Sequence, residues 1–206
     1  MKDVKSSTLK LGFLASGNGS SAQALVEAIR AGTLAAEPRL MVSNVKAAPA
    51  LAWAEAAGIP ALCVPTKIDP DAADRRLAEE MAAHGVELIV MSGYLRRLGP
   101  AILSRYAGRI VNIHPGPLPE FGGQGMYGRR VHEAVLAAGL PASSIVIHVV
   151  DEEYDHGPEL ARRSVPIEAG DTPETLEARV KAMEPAFFVE TLRRIAAGEL
   201  ALPHAA

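Results

Sequence analysis

The stretch Ile110-Val111-Asn112-Ile113-His114-Pro115-Gly116-Pro117-Leu118-Pro119 carries two polar side chains at the end of an apolar run, then three prolines within five residues. In an extended strand, positions 112 and 114 project to the same side. An asparagine amide can donate to a developing oxyanion, and a histidine near neutrality can move a proton. Together the pair suits addition to a carbonyl carbon. A hydrogen-bonded core histidine beside a structural asparagine would show the same spacing. A third group is needed to orient the ring, and the stretch "DEEYDHGP" offers Asp151, Glu152, Glu153 and Asp155. Four clustered acids also make an ordinary solvated loop. A metal site from His148, Asp151 and His156 has no recognised ligand spacing, and no metal is expected. No serine lies in a nucleophile elbow, and Cys63 has no obvious base.

A second chemical signal is Ser16-Gly17-Asn18-Gly19-Ser20-Ser21, a turn between an apolar run and a helical pattern. Gly17, Gly19 and Ala22 fit the dinucleotide spacing G-x-G-x-x-G/A. That fingerprint also needs an acid at the end of the second strand, where Asn44 stands, while Glu37 precedes the strand. The better reading is one phosphate on the backbone amides of Gly19, Ser20 and Ser21, helped by the helix dipole. A tight strand-to-helix turn without a ligand is the plainer alternative.

These residues must be positioned by the elements around them. Strands are expected in "LKLGFLA", "RLMVSN", "IPALCVP", "VELIVMSG" and "RIVNI", alternating with helices that end at Gly32, Gly58 and Gly85. Short apolar strands alternating with helices predict a parallel sheet covered on both faces. Its ligands should lie beyond the carboxyl ends of the strands. There the turn 16–21, Ser43-Asn44, Ser92-Gly93-Tyr94 and the pair Asn112 and His114 would converge. Further on, "SSIVIHVVD" and "ELARRSVPI" read as an antiparallel hairpin around "EEYDHGP". A long terminal helix starts at Thr172-Pro173, and Pro185 predicts a kink or a break inside it. The whole is an α/β fold: a Rossmann-like, mostly parallel central sheet flanked by helices, with a C-terminal antiparallel hairpin and a long terminal helix. Residues 1–206 are expected to form one domain with loose tails at 1–8 and 201–206.

Bulk composition agrees. The 206 residues are 49% hydrophobic, enough for a sound α/β core. A net charge of −3 implies no basic face and makes nucleic acid a poor partner. No apolar run approaches the ~20 residues of a membrane span, and the N-terminus lacks the apolar core of a signal peptide. Cys63, the single cysteine, reads as a small buried hydrophobe, and a cytoplasmic setting is expected.

In order and spacing, "SGNGSSAQAL", "VSN", "GYLRRL", "NIHPGPLP" and "DEEYDHGP" resemble the folate-dependent phosphoribosylglycinamide formyltransferases of purine synthesis. The resemblance runs from about Leu9 to Leu200. It implies transfer of formyl from 10-formyltetrahydrofolate to glycinamide ribonucleotide, both small molecules, by a monomer or homodimer. Asn112 would hold the formyl oxygen, and His114 would stabilise the oxyanion and take part in proton transfer. Asp155 would orient or charge His114 and help a water shuttle the proton. Gly19, Ser20 and Ser21 would bind the substrate phosphate, and Glu184 the ribose hydroxyls. Backbone groups of Leu95, Arg96, Arg97 and Leu98 would bind the pterin, with Arg96 reaching the glutamate tail. The loop that includes Asp151, Glu152, Glu153 and Tyr154 would close over the ring. The resemblance also implies a cis Leu118–Pro119 bond, a mobile flap in "EFGGQGMYG", and a length too short for the extra domain of a methionyl-tRNA formyltransferase or a formyltetrahydrofolate hydrolase. This chain departs from the family pattern at Ser21, Gly116-Pro117, Arg130 and Pro185. A relative with a different acceptor, a hydrolase releasing formate, and a non-catalytic phosphate-binding module are the other readings of the same residues.

Overall fold

The computed structural model describes residues 8–203. Seven strands and six helices follow one another as β1 (Leu9–Leu14), α1 (Ser20–Arg30), β2 (Ala36–Ser43), α2 (Pro49–Ala56), β3 (Ala61–Cys63), α3 (Pro70–Ala83), β4 (Leu88–Met91), α4 (Pro100–Arg105), β5 (Ile110–His114), α5 (Arg129–Ala137), β6 (Ala142–Val149), β7 (Glu159–Pro166) and α6 (Pro173–Ala196). The strands form one sheet in the order β3-β2-β1-β4-β5-β6-β7. β1 to β5 pair in parallel, and β6 and β7 add two antiparallel strands beside β5. Strand order reverses between β1 and β4, the point at which open α/β sheets leave a crevice for ligands.

Each face of the sheet carries its own core. On one side Phe13, Val90, Val111 and Ile147 pack with Leu25, Val135 and Phe188 from α1, α5 and α6. On the other, Leu14, Leu40, Ile89 and Ile110 pack with Leu77 and Ile102 from α3 and α4. Parallel strands covered on both faces have no polar side to present, which is why their central stretches, such as Leu11–Leu14, Leu40–Val42 and Leu88–Met91, are apolar and buried. Cys63 is half-buried at the end of β3 rather than buried outright.

Local signals set the helix ends. The Asp69 carboxylate accepts from the Ala72 N–H (2.9 Å), with Pro70 in the first turn of α3. Thr172 and Thr175 form a reciprocal capping box at the start of α6.

Two expectations need correction. The second strand begins at Ala36, three residues before Arg39, and takes in Pro38. The register with β1 shifts between Leu11 and Gly12, opposite Pro38, so the missing proline N–H falls at an irregularity in the ladder. Of the kink or break expected at Pro185, the break does not occur. α6 continues through it from Pro173 to Ala196, losing one main-chain hydrogen bond while Val180, Phe187 and Phe188 stay buried on either side. Burial of that face outweighs the local cost of the proline.

Of the expected tails, 1–7 and 204–206 lie outside the described residues, and 201–203 are in neither helix nor strand. Among the described residues, no helix is long and apolar enough to cross a membrane.

Candidate active site

The strand ends converge as expected. The Ser16 hydroxyl donates to Asn44 Oδ1 (2.6 Å) and accepts from the Leu95 N–H (2.9 Å), tying together the segments that follow β1, β2 and β4. The Ser16 N–H also donates to the Gly93 carbonyl, and the Ala22 N–H to Ser92 Oγ (3.3 Å). Gly19 precedes α1 with φ +64, a conformation L-residues avoid, and a side chain there would press on Ala15 and Ala50. Among the described residues, the Ser20 and Ser21 N–H groups have no hydrogen-bond partner. The turn therefore presents open donors at a helix N-terminus, the arrangement that receives an anion.

Asn112 and His114 lie on one side of β5, as their spacing predicts. His114 is 3% exposed, and its Nδ1 lies 3.5 Å from Asp155 Oδ2. Its Nε2 bonds the Phe121 carbonyl (2.8 Å), so both neighbours of the ring are acceptors. The second carboxylate oxygen of Asp155 faces His148 Nε2 at 3.5 Å. His148 Nδ1 bonds the Val149 carbonyl, which leaves Nε2 to accept from Asn112 Nδ2 (3.2 Å). The Gly123 N–H, from the glycine-rich segment after the prolines, donates to Asp155 Oδ2 (3.0 Å). One half-buried carboxylate thus bridges two buried imidazoles, and the second imidazole orients the asparagine.

Burial works against the charged form of Asp155. The facing His114 ring, its charge and the Gly123 N–H outweigh it and hold this carboxyl well below the usual carboxylate range. Asp155 is also the one described non-glycine residue with positive φ, at 55°. Such a conformation persists only where surrounding contacts over-determine it. Next to it, a side chain at Gly157 would overlap the Val149 carbonyl, so the loop turns tightly back into the sheet.

Sequence reasoning weighed His148 only as a metal ligand and did not place it beside Asn112 and Asp155. It stands opposite Asn112 in the antiparallel β5–β6 pair, which puts the two side chains on one face as cross-strand neighbours. Of the three residues considered for a metal, His156 pairs with Asp151 (2.9 Å), while His148 turns to Asn112 and the Val149 carbonyl. Among the described residues, no group of three or more His, Cys, Asp and Glu side chains is arranged to hold a metal ion.

The proline-rich segment carries a cis Leu118–Pro119 bond. Arg162 from β7 donates to the Leu118 carbonyl (2.8 Å) and fixes this segment to the sheet.

Leu95 and Tyr154 are largely exposed apolar side chains, one on each of the loops after β4 and β6. Arg97 joins those loops by donating to the Glu152 carbonyl. Arg96, Glu152 and Glu153 are exposed, Asp151 is half-buried and Leu98 is buried. Glu184 stands apart on α6, and no hydrogen bond among the described residues joins it to the Asp155 cluster. Burial is the main influence that raises its carboxyl, to about 7, opposed by Lys181 and aided by Glu177.

The fold and site are those of an α/β transferase: a mostly parallel sheet, open amides in the turn after β1, and Asn112 and His114 of β5 beside Asp155 from the loop after β6. The chain belongs to the formyl transferase family, whose model matches residues 9–192. It is 34% identical to phosphoribosylglycinamide formyltransferase of Bacillus subtilis (strain 168), over 90% of this chain and 94% of that one. It is 37% identical to the chloroplastic phosphoribosylglycinamide formyltransferase of Arabidopsis thaliana, over 90% of this chain, and spans 65% of that relative's length. The solved phosphoribosylglycinamide formyltransferase of Coxiella burnetii superposes with a TM-score of 0.86 at 37% identity, covering 96% of this chain and 91% of the other.

Proposed function

We propose that the protein transfers the formyl group of 10-formyltetrahydrofolate to the amine of glycinamide ribonucleotide, a step of purine biosynthesis. The products are N-formylglycinamide ribonucleotide and tetrahydrofolate. The observation that carries this reading is the Asp155 carboxylate between His114 and His148, with Asn112 held beside them at the end of β5.

The acceptor amine attacks the formyl carbon, and the carbonyl pair moves onto oxygen. One N–H of Asn112 Nδ2 is engaged by His148, and the other donates to this oxyanion. The His114 Nδ1 contact to Asp155, at 3.5 Å, is longer than an ordinary hydrogen bond and leaves that nitrogen free to serve the oxyanion as well. The new C–N bond leaves a proton on the acceptor nitrogen. Asp155 passes it, through water, toward N10 as the C–N10 bond breaks. One proton moves from acceptor to donor nitrogen, and no other group changes charge.

Binding roles follow the same layout. The amides of Gly19, Ser20 and Ser21 take the acceptor phosphate, and Glu184 takes its ribose hydroxyls. Backbone groups of Leu95 to Leu98 bind the pterin, Arg96 reaches the glutamate tail, and the loop with Asp151, Glu152, Glu153 and Tyr154 covers the ring. The exposed Leu95 and Tyr154 side chains support a flat apolar ligand between these loops. We read residues 1–206 as one formyltransferase domain, working in the cytoplasm as a monomer or homodimer on two small molecules, without metal, nucleic acid or membrane.

The test is folate absorbance. Purified protein should deformylate 10-formyltetrahydrofolate only when glycinamide ribonucleotide is present. Formate release without an acceptor would make it a hydrolase, and no reaction in either case would overturn the reading.

A further inference from the structure

The loop that carries Asp155 is held from within by Asp151. Its Oδ1 accepts from the Glu153 N–H (2.9 Å), and its Oδ2 pairs with His156 Nδ1. At the base, the Val149 N–H bonds the Pro158 carbonyl. The tip, 152–154, is exposed. Among the described residues, one side chain from outside the loop bonds its main chain, and that is Arg97, donating to the Glu152 carbonyl. Arg97 itself stands on a fixed platform. Tyr94 and Leu98 on either side are buried, and the Leu95 N–H is tied to Ser16.

We propose that the Arg97 side chain is a positioning residue, a latch that holds the 151–157 loop in the conformation presenting Asp155 to His114. This rests on the formyl-transfer reading and adds a residue to it, since that reading gives Arg97 only backbone contacts to the pterin. The need for a latch follows from geometry. The Asp155 end of the loop, at φ 55°, is held by Gly123 and the facing rings, whereas the exposed tip 152–154 that leads into it has, among the described residues, no other anchor from outside the loop. A guanidinium reaching from the loop after β4 to the Glu152 carbonyl restrains the exposed tip. The same bond spans the opening through which a formyl donor would enter, so the latch releases and re-forms with each donor.

The experiment compares wild type, Arg97→Met and Arg97→Lys, first by amide hydrogen exchange without ligands. In Arg97→Met, amides of 151–157 should exchange ~10-fold faster while those of β1 to β5 are unchanged. Arg97→Lys, which can still reach one carbonyl, should restore most of the protection. In formyl transfer, Arg97→Met should raise KM for the formyl donor by about tenfold with a smaller fall in kcat, because bound donor closes the loop itself. A formyl donor truncated before its glutamate tail should show the same ratio. Unchanged exchange in Arg97→Met would overturn the latch. So would a defect that vanishes with the truncated donor, which would mean that Arg97 contacts the tail. Because exchange is read without substrate, it decides the latch even if the transfer reading fails.

Discussion

The turn after β1 and the cluster at the end of β5 lie along the same edge of the sheet, yet they are built from different parts of the chain. The turn is made of backbone. Its left-handed Gly19 and the open N–H groups of Ser20 and Ser21 do not depend on any one side chain. The cluster is made of side chains, each leaning on the next: Asn112 on His148, His148 on Asp155, Asp155 on His114 and Gly123. A backbone site tolerates substitution, whereas a chain of mutually oriented side chains does not.

The sharpest break in this contrast comes from removing a ring. In His114→Ala, kcat for formyl transfer should fall by about 10³-fold or more, with KM for the acceptor within a few-fold of wild type. A mutant within tenfold of wild-type turnover would show that the ring is structural.

How much of this was legible follows the same division. The parallel strands, their helices and the Gly-rich turn were readable because apolar runs, caps and helix-ending glycines are local signals. Asn112 and His114 were readable because a strand alternates with period two. His148 was not, because it joins them only through the antiparallel β5–β6 pairing, which no local pattern encodes. The long reach of β2 and the unbroken α6 were missed for one reason. In each, the local rule for a proline is overruled, at Pro38 by a shift in register and at Pro185 by the buried face around it.

Glu184 sharpens the comparison from a third position. With its carboxyl raised to about 7 by burial, its charged form is present above that pH and lost as pH falls through it. A raised carboxyl destabilises the folded state at pH above its unfolded value, and the penalty disappears as pH drops toward that value. Glu184→Gln should therefore raise folding stability at pH 8 by about 1–2 kcal/mol, allowing for partial exposure, with the gain gone near pH 4. The same variant should raise KM for glycinamide ribonucleotide by about tenfold. Thermal melts at the two pH values, with acceptor titrations at pH 8, check both signs.

The smallest effect belongs to the backbone site. Ser21→Ala leaves the amide in place, and KM for the acceptor should change by no more than about threefold. A larger loss in acceptor titrations would mean that the hydroxyl itself binds the phosphate.

The carboxylate between the two rings is the hinge of the proposed mechanism. Asp155→Asn keeps the shape of the side chain and removes its charge. Assayed by folate absorbance with saturating acceptor, it should lose turnover by about 10³-fold or more while acceptor binding is retained. Turnover within tenfold of wild type would contradict the bridging role and, with it, the mechanism proposed for this site.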